Sequence, residues 1–186
     1  MSVRRTTIHP SPLPIRTHVL YEGSPGVLVD DGIVIEGVDL DGVLAAVGRA
    51  VDATTPARRI ELCGGMPVQV AAQVQASLPD DVELGVNRYG FESLDQAAAY
   101  KAAFDDPAGD APGDLTILYA AATSTPLAQH DGVLVAGVGT RADLADRAVE
   151  ALLRGAGLVE LYGGLGVVAA DVVREATRDA IPVGYC

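Results

Sequence analysis

The chain writes one short program twice. "VLY" at 19–21 recurs as "ILY" at 117–119, "DGIVIEGV" at 31–38 as "DGVLVAGV" at 131–138, and "IELCGG" at 60–65 as "VELYGG" at 159–164. A fourth match, "VELG" at 82–85 against "IPVG" at 181–184, keeps the same order, and the offsets all fall between 98 and 100 positions. Self-similarity at a fixed spacing restricts the fold more than any single motif does, because both units must satisfy the same packing rules.

Within each unit the apolar period alternates. "HVLYEG" and "GIVIEGV" are short β-branched runs bounded by Gly and Asp, which predicts strands. "DLDGVLAAVGRAVDA" places apolar residues at 40, 43, 44, 47 and 51, a helical spacing that Asp39 can cap. "RRIELCGG" reads as a strand, "MPVQVAAQVQASL" as a helix with Pro67 in its first turn, and "DVELGV" as a closing strand. The second unit runs likewise through "TRADLADRAVEALLRGAG", "LVELYGG", "LGVVAADVVREAT" and "AIPVGY". The stretch between the first two strands of each unit is read as a crossover or loop in preference to a hairpin turning at Asp31-Gly32.

Strands separated by helices imply right-handed βαβ connections. The predicted fold is therefore α/β: two tandem copies of a small βαβαβ-type unit with a mainly parallel sheet, packed as a pseudo-twofold dimer in one chain. The boundaries are an extended N-terminal arm over 1–16, a first repeat over 17–104, a Pro/Gly-rich linker over 105–114 and a second, shorter repeat over 115–186. The first repeat carries an extra C-terminal helix, which Ser93 and Gln96 open as a capping box.

Composition narrows the function classes. Hydrophobic residues make up 49% but aromatics only 4%, with no Trp, so the core is aliphatic. A formal charge of −12 repels nucleic acid and anionic membrane, so neither is an expected partner, whereas a homo-oligomer is compatible with the sequence. Cys63 and Cys186 make no disulfide framework, no Cys/His cluster suggests a metal, and no cofactor fingerprint is present. Prolines at 10, 12 and 14 and the lack of an apolar run behind Arg4 and Arg5 argue against a signal peptide, and the chain reads as cytoplasmic.

At "ELCGG", followed by "VELGVNRYGFESL", the chain resembles a family of small bacterial α/β proteins of unknown function, each about one repeat long. The resemblance covers positions 18–104; the second unit has Tyr162 in place of Cys63 and nothing matching Arg88-Tyr89-Gly90. It implies an α/β fold and a dimer-like arrangement, and it brings no activity with it.

The residues that could carry chemistry cluster at the glycine turns. A strand ending in Gly64-Gly65 before a helix offers bare backbone amides and a positive helix end, which suits an anion; Gly163-Gly164 is the second-unit equivalent. Glu61 and Glu160 sit at matching places inside apolar strands, where a buried carboxylate needs an Arg or a protonated state, as at a site; the alternative is an uncovered or edge strand facing water, or a structural pairing across the twofold interface. Arg88 and Tyr89 follow the fourth strand of the first unit and could meet a ligand resting on Gly64-Gly65. The expected function is binding of a small anionic metabolite, a carboxylate or phosphate, with Glu61 the candidate acid or base. The alternative is a non-catalytic structural or interaction module in which the glycine turns are only corners.

Overall fold

The computed structural model describes residues 16–30, 32–106, 108–109 and 111–186. Positions 1–15 of the expected arm, Asp31, and Pro107 and Asp110 of the expected linker lie outside the described residues.

The first half contains β1 (Thr17–Glu22), β2 (Gly26–Asp30), β3 (Ile33–Val38), α1 (Val43–Asp52), β4 (Arg59–Leu62), α2 (Val68–Ser77) and β5 (Glu83–Val86). A short strand β6 (Arg88–Tyr89) and helix α3 (Leu94–Phe104) follow. The second half contains β7 (Asp114–Ala120), β8 (Ala128–His130), β9 (Val133–Val138), α4 (Arg141–Leu153), β10 (Ala156–Tyr162), α5 (Val167–Thr177) and β11 (Val183–Tyr185). One sheet has the order β2-β3-β1-β4-β5, and the other has β6-β11-β10-β7-β9-β8. Apart from the added β6, the two sheets share one strand order. In each, four strands are parallel and the outer strand of the leading hairpin is antiparallel.

That hairpin corrects the expectation of a crossover or loop. β2 pairs antiparallel with β3, and β8 with β9. In the second hairpin Asp131 and Gly132 adopt φ of 47° and 86°, the left-handed pair that a two-residue turn of this twist requires. The Asp-Gly dipeptide is therefore the decisive local signal at these positions.

The periodicity explains the helices. α1 buries Val43, Ala46, Val47 and Ala50, and α4 buries Leu144, Ala148 and Ala151. Asp39 accepts a hydrogen bond from the Gly42 amide at 2.7 Å, capping the 3-10 turn that leads into α1. The capping box expected at α3 does not form: Ser93 makes no side-chain cap, and its Oγ instead accepts from the Val183 amide at 3.3 Å.

The sheets stack face to face with helices outside. One buried cluster joins α1 and α2 to the first sheet and reaches Ile117, Tyr119, Val133 and Val135 of the second; another joins the second sheet to α4 and α5. Strand register aligns Ile35, Val19 and Glu61 in the first sheet, and Val135, Ile117 and Glu160 in the second. Both rows point between the sheets, so both faces of the parallel strands are covered. Asn87 marks the crossing of the chain from one sheet to the other: its amide donates to Leu62 O, while its side chain donates to Leu161 O. β6 then pairs with β11, placing the Arg88-Tyr89 segment of the first half on the edge of the second sheet.

Candidate functional site

The two matched carboxylates meet the two matched turns crosswise. Glu160 Oε1 accepts from the Gly64 amide at 2.9 Å, and Glu61 Oε2 accepts from the Gly163 amide at 2.7 Å. Both side chains are sealed from solvent, at 0% exposure for Glu61 and 1% for Glu160. The first amide of each glycine turn is thus already filled by a side-chain carboxyl group, and the chain supplies it.

The surroundings of the two carboxylates differ. Glu61 Oε1 is held by Arg59 Nε at 2.7 Å, and Arg59 reaches on to Glu83 at 3.0 Å. In the matching strand Leu158 occupies the place of Arg59, so Glu160 has no ion-pair partner among the described residues. It is surrounded by hydroxyls instead: Tyr89 donates to Oε1 at 2.5 Å and Tyr162 donates to Oε2 at 2.5 Å. Burial raises the Glu160 pKa, outweighing the bonds from Tyr162, Tyr89 and Gly64, which favour the ionised form. Burial thus biases the Glu160 carboxyl group toward its protonated form.

Glu160 lies in the wall of a cavity of about 530 Å3 between the sheets, at the carboxyl ends of β1 and β4 and the amino ends of β7 and β9. Helix α3 covers it, contributing Ala97, Tyr100, Lys101 and Phe104. None of the residues of α3 is fully buried, so the helix lies across a hollow rather than on a packed core.

Of the residues singled out in the sequence, Gly64, Gly65, Tyr89 and Glu160 line this cavity, whereas Glu61, Arg88, Gly163 and Gly164 do not. Arg88 is exposed, and its guanidinium lies 5.2 Å from the Tyr185 ring centroid, so it does not reach toward Gly64 as expected. A Cβ at Gly64 would stand 2.5 Å from the Tyr89 ring, which explains why glycine is needed there: the turn makes room for the tyrosine. Gly163 and Gly164 have φ of 66° and 84°, so the second turn needs glycine for its backbone as well. Cys63 also lines the cavity, but burial and the Glu160 charge push its thiol up to about 12, which removes it as a thiolate nucleophile.

Several lining residues escaped the sequence reading. Tyr21, Glu22, Tyr100, Lys101, Phe104 and Asp131 come from three separate segments that the fold brings together. The signal that could have found some of them is scarcity: in a chain with only 6 Tyr and 2 Phe, a Tyr100/Phe104 pair one helical turn apart is informative. Lys101 Nζ bonds Glu22 at 2.9 Å and Asp105 at 2.8 Å, tying the lid to the end of β1.

A second polar cluster lies on the helix side of the first sheet. His18 Nε2 is 2.8 Å from Glu36 Oε2, and Arg49 donates to Glu36 Oε1 at 2.6 Å. Thr116 and Ala136 hold the matching register positions in the second sheet. Burial lowers the His18 pKa against the opposing pull of Glu36.

Neither cluster forms a metal centre: among the described residues no group of three or more His, Cys, Asp or Glu is arranged to hold an ion. No described helix is long and apolar enough to cross a membrane. Comparison with protein-family models, curated proteins and solved structures yields no match to this chain, so the site rests on its own geometry.

Proposed function

We propose that the chain is a small-molecule-binding protein whose ligand occupies the cavity under α3, with Glu160 in its inner wall. One observation carries the reading: a fully buried carboxyl group, supported by two tyrosines and a backbone amide but by no cation, forms part of the wall of a cavity of about 530 Å3. The matching carboxyl group of Glu61, by contrast, is answered by a cation, Arg59. The cavity volume falls within the range of small-molecule sites, and its lining, largely apolar with a few convergent polar groups, has their usual character.

The site differs from the one expected on sequence in two respects. It uses Glu160 in preference to Glu61, and its charge does not suit an anionic metabolite. Glu22, Asp131 and Glu160 line it against Lys101 alone.

The architecture is read as a duplicated unit arranged about a pseudo-twofold axis. The shared strand order and the crosswise Glu–Gly hydrogen bonds support that reading. Those same bonds favour a second reading, in which the glycine turns serve only to lock two halves together. The two diverge over the cavity, which the structural reading leaves without purpose.

A thermal-shift screen against neutral, cationic and anionic metabolites separates them. A ligand at 100 times its dissociation constant stabilises by about 2.7 kcal/mol. Ala97→Trp, which fills the cavity from the lid, should abolish the response while keeping the fold. A flat panel, or a response that Ala97→Trp leaves intact, would remove the cavity reading.

A further inference from the structure

The chemical class of the ligand is open to a sharper argument, which rests on the cavity-binding reading above. Aromatic side chains are scarce in this chain, 6 Tyr and 2 Phe with no Trp, yet Tyr21, Tyr89, Tyr100 and Phe104, four of the eight, line one cavity. They arrive from β1, β6 and α3, so no local sequence bias accounts for the gathering.

The charges around these rings are unequal. Among the described residues Lys101 is the single cation of the lining, and it is already paired with Glu22 at 2.9 Å and Asp105 at 2.8 Å. The carboxylates of Asp131 and Glu160 have no ion-pair partner among the described residues. Asp131 sits on the left-handed turn that opens β9, at the rim of the cavity, whereas Glu160 lies in its inner wall. The rings present negative π faces, and the carboxylates add acceptor charge without a balancing donor charge. Lys101 Nζ gives an internal example of such a contact, 5.0 Å from the centroid of the Phe104 ring.

An anion brought into this space would meet the exposed Asp131 carboxylate and the buried Glu160 carboxyl group with no free cation to answer it, whereas a bound cation favours the ionised form of Glu160. A neutral apolar molecule would fill the volume and leave both charges unanswered. We infer that the cavity takes a small organic cation, an alkylammonium-type head held between the tyrosine rings and the Glu160 and Asp131 carboxylates, with an apolar body under α3.

Three probes of nearly equal shape test this on the full chain by isothermal titration: choline, its neutral carbon isostere 3,3-dimethylbutan-1-ol, and the anion 3,3-dimethylbutanoate. Choline should bind about tenfold or more tighter than the alcohol, a difference of about 1.4 kcal/mol, with the carboxylate weakest. Glu160→Gln should narrow the choline-to-alcohol ratio severalfold. Should that variant fail to fold, Asp131→Asn on the rim should narrow the same ratio. Equal binding of choline and the alcohol, or tighter binding of the carboxylate, overturns the cation inference and leaves cavity binding standing. A ratio unchanged in both variants overturns it as well. If none of the three probes binds, the cation inference falls, and cavity binding is then judged separately by the metabolite panel and Ala97→Trp.

Discussion

At the scale of single residues, the informative contrast is between two glutamates that occupy matching strand positions in different chemical surroundings. Glu61 pairs with Arg59, so Glu61→Gln leaves a partly buried guanidinium with, among the described residues, the exposed Glu83 to answer it. The expected cost is about 1–3 kcal/mol in denaturant unfolding, the range for a lost charged hydrogen bond. Glu160→Gln removes no ion pair, and its cost at neutral pH should be smaller. The sign of its pH dependence follows from burial. The folded chain keeps the Glu160 proton above the ordinary value of 4.5, where the unfolded chain has released it. Stability from this group is therefore full below that value and declines as pH rises through the folded pKa. The melting temperature of Glu160→Gln relative to the parent should rise across that interval; a constant difference would show that Glu160 stays ionised. His18 behaves in the opposite sense. Its pKa is lowered from 6.5 by burial despite Glu36, with Arg16 and Arg49 adding to the lowering. Its contribution is present above 6.5 and is lost as pH falls through the folded value. His18→Gln should flatten the acid-side loss of melting temperature below 6.5, and an unaltered profile would assign that loss to other groups.

At the scale of elements, α3 is the exception among the helices, with no residue fully buried, whereas α5 buries Ala169, Ala170, Val172, Val173 and Thr177. Few buried contacts mean a low free energy of local opening. Amides of Leu94–Phe104 should exchange with solvent well before those of Val167–Thr177, and an organic cation in the cavity should slow the first set selectively. Equal protection of the two helices in the free protein would remove α3 as a lid. Elements also show how far the sequence could be read. The α/β class, the parallel strands and the positions of α1, α2, α4 and α5 were legible because β-branched runs and helical spacing are local signals. The hairpins were missed because the apolar run through Asp-Gly was read as a strand and a crossover or loop, although the Asp-Gly pair itself carries the turn signal. The capping box at Ser93 failed because Val183 claimed the hydroxyl, a contact 90 positions away in sequence. The candidate site was half legible for the same reason. Gly64, Gly65 and Glu160 carry a motif, whereas Tyr100 and Asp131 join them only through the stacking of two sheets.

At the scale of the molecule, the halves complete each other at their most polar points. Without the second half, Glu61 would lose the Gly163 amide, and the face carrying Val19, Tyr21 and Ile35 would meet water. Without the first, Glu160 would lose Gly64 and Tyr89, keeping Tyr162 alone, and β11 would lose β6. Tyr119 also donates to Asp30 across the same boundary. Uncovering that apolar face, with loss of the buried hydrogen bonds that go with it, costs several kcal/mol, a large share of the about 5–15 kcal/mol that is the usual whole stability of a domain. The full chain should therefore unfold in one cooperative transition, with circular dichroism and tyrosine fluorescence coincident. Fragments 1–110 and 111–186 should each be unfolded or self-associated alone, and should regain structure when mixed, because the missing donors and the missing apolar face are supplied together. A fragment that is monomeric, folded and cooperative by itself would mean that the crosswise Glu–Gly bonds decorate two independent domains and do not join them. The same fragments offer a check on the origin of the fold: a first-half fragment that dimerises would offer each Glu61 the Gly64 amide of its partner, reproducing with one sequence the exchange that the chain now makes with two.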